Sequence, residues 1–158
     1  MTDRPDAAAG GPDASPSLKL TRRFAAPRET VFRAWTDPEW MMRWFGPRDA
    51  TCPYAETDLR VGGAFRLCIR SPDGKDHWAA GEYREVDPPA RLVFTWKWEF
   101  DDAPPEQMLI ELDFVESGGG TELTLTQTRF GTAESRDAHE RGWTSAFDAL
   151  ADFLPALE

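Results

Sequence analysis

Two different periods divide the chain. Apolar side chains recur at helical spacing from residue 27 to 45, alternate one-in-two from about 50 to 130, and return to helical spacing from 139 to 154. In the first stretch Val31, Phe32 and Trp35 form one stripe behind Pro27, which a first helical turn tolerates. Asp37-Pro38 interrupts it, an N-cap residue followed by a proline suited to the first helical position. The second helix carries Trp40, Met41, Trp44 and Phe45, and Gly46-Pro47 ends it. In the last stretch Trp143, Ala146, Phe147, Leu150, Phe153 and Leu154 make one apolar stripe along a long helix. His139 lies one turn ahead of Trp143 on the same face.

Between the helical stretches the pattern is that of strands. A first strand at 17–26 points Leu18, Leu20 and Phe24 inward, and Arg22-Arg23 breaks its alternation as an edge strand would. Six more are expected at 51–59, 63–71, 76–87, 90–100, 107–117 and 121–130. Gly, Pro, Asp and Ser clusters separate them, among them Gly62-Gly63, Pro72-Asp73-Gly74, Pro88-Pro89, Pro104-Pro105 and Gly118-Gly119-Gly120. Such short spacings favour an antiparallel meander, because parallel pairing needs long crossovers. Alternation sends Phe65, Leu67, Ile69, Leu92, Phe94, Trp96, Trp98, Met108, Ile110, Leu112, Phe114, Leu123, Leu125 and Gln127 to one face. If the register of its strand holds, Glu82 joins them. The stripe of the long helix then has one large apolar surface to bury against, the concave side of the sheet. The expected class is α+β: a curved seven-stranded antiparallel sheet wrapped around a long C-terminal helix, with two short helices after the first strand. That order of elements commonly leaves a central cavity and points toward a binder of something small and apolar.

Composition sharpens this picture. Residues 1–16 read as a disordered leader, and 17–156 as a single domain. Seven Trp and ten Phe supply a core that stays stable even where part of it lines a void. The formal charge of −10 leaves no basic stripe for nucleic acid and disfavours an anionic membrane surface. No signal peptide or membrane span is visible, so a cytoplasmic location is expected. Cys52 and Cys68 form neither a disulfide framework nor a metal pair, and His77 and His139 have no ligand-spaced partner, so no metal and no cofactor is expected. Neither glycine run opens a helix with a following Lys-Ser/Thr, which removes phosphate cradling. Ser135, Ser145 and Cys68 lack a visible base, and no catalytic residue is assigned.

Several segments together carry a resemblance. They are Pro27–Val31, Ala34–Pro38 with Trp44–Pro47, Asp58–Phe65, Gly81–Trp96, Gly118–Thr126 and His139–Trp143. In this order the chain resembles the activator of heat-shock protein 90 ATPase homologue family, within the START/birch-pollen-allergen-like superfamily of helix-grip folds. The resemblance implies a seven-stranded sheet gripping the C-terminal helix with a pocket between them. It transfers no catalytic triad, metal site or nucleotide motif. Superfamily relatives include lipid carriers, polyketide cyclases and aromatases, hormone receptors and proteins that sequester reactive natural products, so fold leaves function open. The eukaryotic namesake has a further N-terminal domain not seen in this sequence, and an interaction with heat-shock protein 90 is therefore not expected.

The candidate pocket-lining set is Trp35, Trp44, Phe65, Leu67, Trp96, Trp98, Ile110, Leu112, Gln127, His139, Trp143 and Phe147. Apolar cavities are built from such residues, with a few polar groups setting orientation. Gln127 is a buried amide that needs partners, supplied by a ligand, a backbone group or water. His139 titrates in the right range for a general base or serves the helix structurally. Three readings follow: a carrier of a small hydrophobic or aromatic molecule, a cyclase- or hydrolase-type enzyme using His139, Gln127 or Glu82, and a protein-interaction module. Trp44-Phe45, if exposed, would be the seam of a homodimer.

Overall fold

A computed structural model describes residues 16–99 and 107–154. Leu18–Phe24 forms β1, followed by the short helices Arg28–Thr36 (α1) and Pro38–Trp44 (α2). Six strands succeed them: Thr51–Thr57 (β2), Ala64–Arg70 (β3), Asp76–Asp87 (β4), Arg91–Trp98 (β5), Met108–Ser117 (β6) and Gly120–Thr128 (β7). The helix Ala133–Phe153 (α3) closes the chain. All neighbouring strands are antiparallel, and the sheet runs β1-β7-β6-β5-β4-β3-β2. The expected leader lies outside the described residues except for Pro16, as do residue 100, the turn at 101–105 and residues 155–158.

This topology explains the two short helices. β1 and β2 are consecutive strands on opposite edges of the sheet, so the segment between them must carry the chain from one edge to the other. It does so with its apolar stripe buried. Val31, Phe32, Ala34, Trp35, Met41 and Trp44 are all in the core. Asp37 joins the two helices. Its carboxylate accepts the Glu39 N–H at 3.0 Å as the α2 cap and binds the Arg33 guanidinium at 2.9 Å. Pro38 takes the first turn of α2, where its missing N–H costs no hydrogen bond.

α3 lies on the concave face with Trp143, Ala146, Phe147, Leu150 and Phe153 buried. Polar ties fix its position. Arg22 of β1 pairs with Asp148, and the Arg48 backbone N–H donates to Ser145 Oγ at 2.7 Å. Thr132 caps its start by accepting the Ser135 N–H at 3.0 Å.

Three expectations are corrected. Arg22 does not break the alternation of β1; it holds the inward parity between Leu20 and Phe24 and reaches the flank of α3. Glu82 does not point inward: Ala79 and Tyr83 take the buried parity of β4, and Glu82 pairs outside with Arg84. Trp44-Phe45 is not an exposed dimer seam. Both are buried, with Trp44 Nε1–H donating to Ala34 O at 2.8 Å and Phe45 stacked on Trp96. Edge-to-edge crossing over the concave face draws both rings in.

Gly81 marks the tightest point of the sheet. A Cβ there would fall 1.8 Å from Thr95 O and 2.6 Å from the Phe65 ring. Thr95, though on the outer parity of β5, is fully buried, and its hydroxyl accepts the Glu82 N–H at 2.9 Å. Because strand backbone and not a flexible side chain opposes the methyl, Gly81→Ala is expected to destabilise the fold by about 3 kcal/mol. Urea melts of the two proteins check this, and equal midpoints would contradict it.

Candidate ligand cavity

Between α3 and the β3–β4 end of the sheet lies a cavity of about 470 Å³. α3 contributes Ser135, Ala138, His139, Gly142, Trp143 and Ala146, a single lateral flank at helical spacing. β5 contributes Trp96 and Trp98, the β3–β4 hairpin Ile69, Ser71, Pro72 and His77, and the segment after α2 Phe45, Gly46, Pro47, Asp49 and Ala50. Four aromatic rings therefore share one wall. Trp96 is the centre of this group: Phe45 stacks on it at 6.0 Å, and Trp98 and Trp143 meet it edge to face at 5.3 and 6.0 Å. Among the described residues no lysine or arginine lines the space.

Some polar groups on this wall are bonded to one another, whereas Ser135 Oγ and the Trp96 indole N–H are buried without a partner. His139 Nε2 accepts the Trp98 indole N–H at 2.9 Å, and Nδ1–H donates to Ser135 O at 2.7 Å. An indole nitrogen only donates and a carbonyl only accepts, so the two bonds require a neutral imidazole with its proton on Nδ1. Burial lowers the His139 pKa below the ordinary imidazole value, partly offset by the bond to Ser135. Both ring nitrogens are used, which leaves no free lone pair for a general base. In the hairpin, Ser71 Oγ binds the Asp73 carboxylate and lies 3.3 Å from His77 Nε2. Asp73 is held below the usual carboxylate range chiefly by that Ser71 contact.

Gln127 is fully buried but lies outside the cavity. Its Oε1 accepts the Trp143 indole N–H at 2.8 Å, and its Nε2–H donates to Met108 Sδ at 3.3 Å. The amide thus takes its partners from the protein. Cys52 and Cys68 are free and buried on neighbouring strands, and burial pushes the Cys52 thiol up to about 11, an inert state. Among the described residues no cluster of His, Cys, Asp or Glu could hold a metal ion, and no helix is long and apolar enough to cross a membrane.

Of the twelve candidate lining residues, Trp96, Trp98, His139 and Trp143 come together on the cavity wall. Trp35, Phe65 and Leu67 instead border a void of about 10 Å³ deeper in the core, roughly the room for a single water. Trp44, Ile110, Leu112 and Phe147 are buried in the core and touch neither space. Sequence reasoning missed Phe45, Ile69, Ala50, Ala138, Gly142 and Ala146 as lining residues. The α3 members could have been found by following His139 and Trp143 along their helical flank; Ile69 and Phe45 lie on inward stripes, but nothing local tells a cavity wall from the packed core.

Comparison with known proteins agrees with this architecture. A protein from Chromobacterium violaceum superimposes with a TM-score of 0.81 at 28% identity, over 87% of this chain and 96% of that one. The AHSA1 protein from Silicibacter pomeroyi gives 0.79 at 28% identity, over 90% and 100%. A Rhodobacter sphaeroides protein gives 0.78 at 27%, over 94% and 98%. A separate short likeness, 37% identity over 67 residues, is to carboxy-S-adenosyl-L-methionine synthase of Shewanella oneidensis. It spans 41% of this chain and only 28% of that enzyme. The family model for Activator of Hsp90 ATPase homolog 1-like protein matches residues 25–155. With its curled seven-stranded antiparallel sheet closed by a long C-terminal helix, the chain belongs to that family.

Proposed function

We propose that the protein binds a small hydrophobic molecule in the cavity between α3 and the sheet. The observation that carries this reading is the 470 Å³ space walled by Phe45, Trp96, Trp98 and Trp143. Its size falls within the ~300–1,000 Å³ range of small-molecule sites, and its lining is mostly apolar, as such sites require. The enzyme reading loses its named groups: Glu82 is on the outer face, Gln127 is committed to Trp143 and Met108, and both nitrogens of His139 are engaged. What remains is a container that holds a molecule without a positioned acid, base or nucleophile among the residues proposed for one.

Binding is expected to be visible as stabilisation. A ligand at a hundred times its Kd adds about 2.7 kcal/mol to the native state, which raises the melting temperature of a domain this size by roughly 5–10 °C. Native mass spectrometry of the purified protein, with thermal-shift screening of uncharged aromatic and polyketide-like compounds, is the test. No adduct and no shift across such a panel would reject the reading. A pull-down that recovers a heat-shock protein 90 homologue instead would favour the interaction module.

The wall itself is expected to be acid-sensitive. The folded state holds His139 neutral and its pKa low, so as pH falls the unfolded chain takes up the proton first. The associated stability is complete above the ordinary imidazole value of about 6.5 and is lost as pH falls through the lower folded value. His139→Gln keeps an acceptor for Trp98 but cannot titrate. Urea melts between pH 7.5 and 5 should show a steeper loss in the wild type than in this variant; parallel losses would contradict the assignment.

A further inference from the structure

Gly142 sits inside α3, on the flank that faces the cavity, one helical turn from both Ala138 and Ala146. A Cβ built there meets no atom within 4 Å, and its φ lies outside the left-handed region that favours glycine. Neither packing nor backbone conformation therefore asks for glycine. Helix energetics argues against it: relative to alanine, an interior glycine lowers the folding equilibrium about fivefold at 25 °C, the equivalent of ~1 kcal/mol. Stability is given up here for open space, and that space belongs to the cavity. Residues that cost stability without a packing reason are characteristic of functional surfaces.

The absent side chain has a geometric consequence. It bares a strip of helix backbone, which a ligand can approach to van der Waals distance. Across the cavity stand the Trp96 and Trp98 indoles of β5, whose faces and edges favour flat aromatic partners. Charge narrows the class further. Among the described residues the ionisable lining groups are Asp49, His77 and His139, and His139 is neutral through its two bonds. An anion entering the cavity would meet no lysine or arginine and would face a chain of net charge −10. The α3 dipole does not substitute for a cation. The cavity lies along the side of the helix, and the first-turn Ser135 N–H is already taken by Thr132.

We propose that Gly142 is the seat of the ligand: an uncharged, flat, ring-containing molecule lies with one face on the bare backbone of α3 at Gly142, beside Trp143 and against the Trp96 and Trp98 indoles of β5. This rests on the ligand-binding reading above and specifies what that site accepts. With no side chain at residue 142, that position sets how closely a ligand can approach α3.

The test uses two matched fluorescent probes, uncharged N-phenyl-1-naphthylamine and its sulfonated relative 8-anilinonaphthalene-1-sulfonate, with the wild type, Gly142→Ala and Gly142→Leu. Each protein is titrated with each probe at pH 7.5 and unfolded in urea. The wild type should bind the uncharged probe at least tenfold more tightly than the sulfonate. Gly142→Ala should be more stable, its unfolding constant about fivefold smaller, yet bind the uncharged probe about tenfold more weakly, the effect of one surplus carbon in a fitted apolar site. Gly142→Leu should lose binding altogether while remaining folded. Unchanged affinity in a stabilised Gly142→Ala, or equal affinity for the two probes, would overturn the inference and leave the ligand-binding reading standing. A wild type that binds neither probe would reject both. A destabilised Gly142→Ala would show that packing does require glycine, and the inference would fall.

Discussion

The hydrogen bond from the Trp143 indole to Gln127 Oε1 sets the relation between helix and sheet. Both residues are buried, and a buried polar group without a partner costs roughly 1–3 kcal/mol. Each therefore needs the other in place. Moving α3 by one residue would turn its surface by about 100° and separate the indole from the amide. Together with the Arg22–Asp148 and Arg48–Ser145 ties, this contact selects one rotation of an otherwise apolar stripe, which hydrophobic burial alone leaves free to slide. That rotation sends Phe147, Leu150 and Phe153 to the core and Ala138, His139 and Gly142 to the cavity flank.

The same constraint separates packed interior from open space. Where α1 and α2 cross the concave face, Trp35 meets Trp44, Phe45, Trp143 and Phe147, and Phe45 meets Trp143, at centroid distances of 4.9 to 6.3 Å. The aromatic packing is dense enough that the indole N–H groups of Trp35 and Trp96 are buried without a hydrogen-bond partner. Aromatic contact must outweigh that cost, and edge-to-face pairs worth about 0.5–1.5 kcal/mol each beyond area burial are numerous enough to do so. Beyond Phe45 the helices end and Gly46 turns the chain with a φ of 104°. The cavity begins where the aromatic packing stops.

Periodicity made the elements legible because it is a local property. All seven strands and three helices were readable, with strand ends displaced by a residue or two at positions such as Thr57 and Thr128. Alternation also identified the inward residues of β5 to β7. It could not say whether inward meant core or void, since Ile110 and Trp98 obey the same rule, yet one is fully buried and the other lines the cavity. The answer depends on sheet curvature and on where α3 and the α1–α2 crossing end, which are relations between distant segments. Trp44-Phe45 shows the same limit from the other side. Two consecutive large rings at a helix end look exposed until the chain is known to connect opposite edges of a sheet.

The size of the cavity bears on what occupies it. A pocket of about 470 Å³ that opens to solvent holds either water or a ligand. Water beside Trp98 and His139 finds few partners, because their ring nitrogens are already bonded, although Ser135 Oγ has none. An apolar molecule gains roughly 25 cal/mol for each Å² of wall it removes from water and demands no partner. The bonds that tie up the ring nitrogens of Trp98 and His139 thus favour an apolar occupant against that part of the wall, and the glycine at position 142 enlarges the space for it at the expense of the helix.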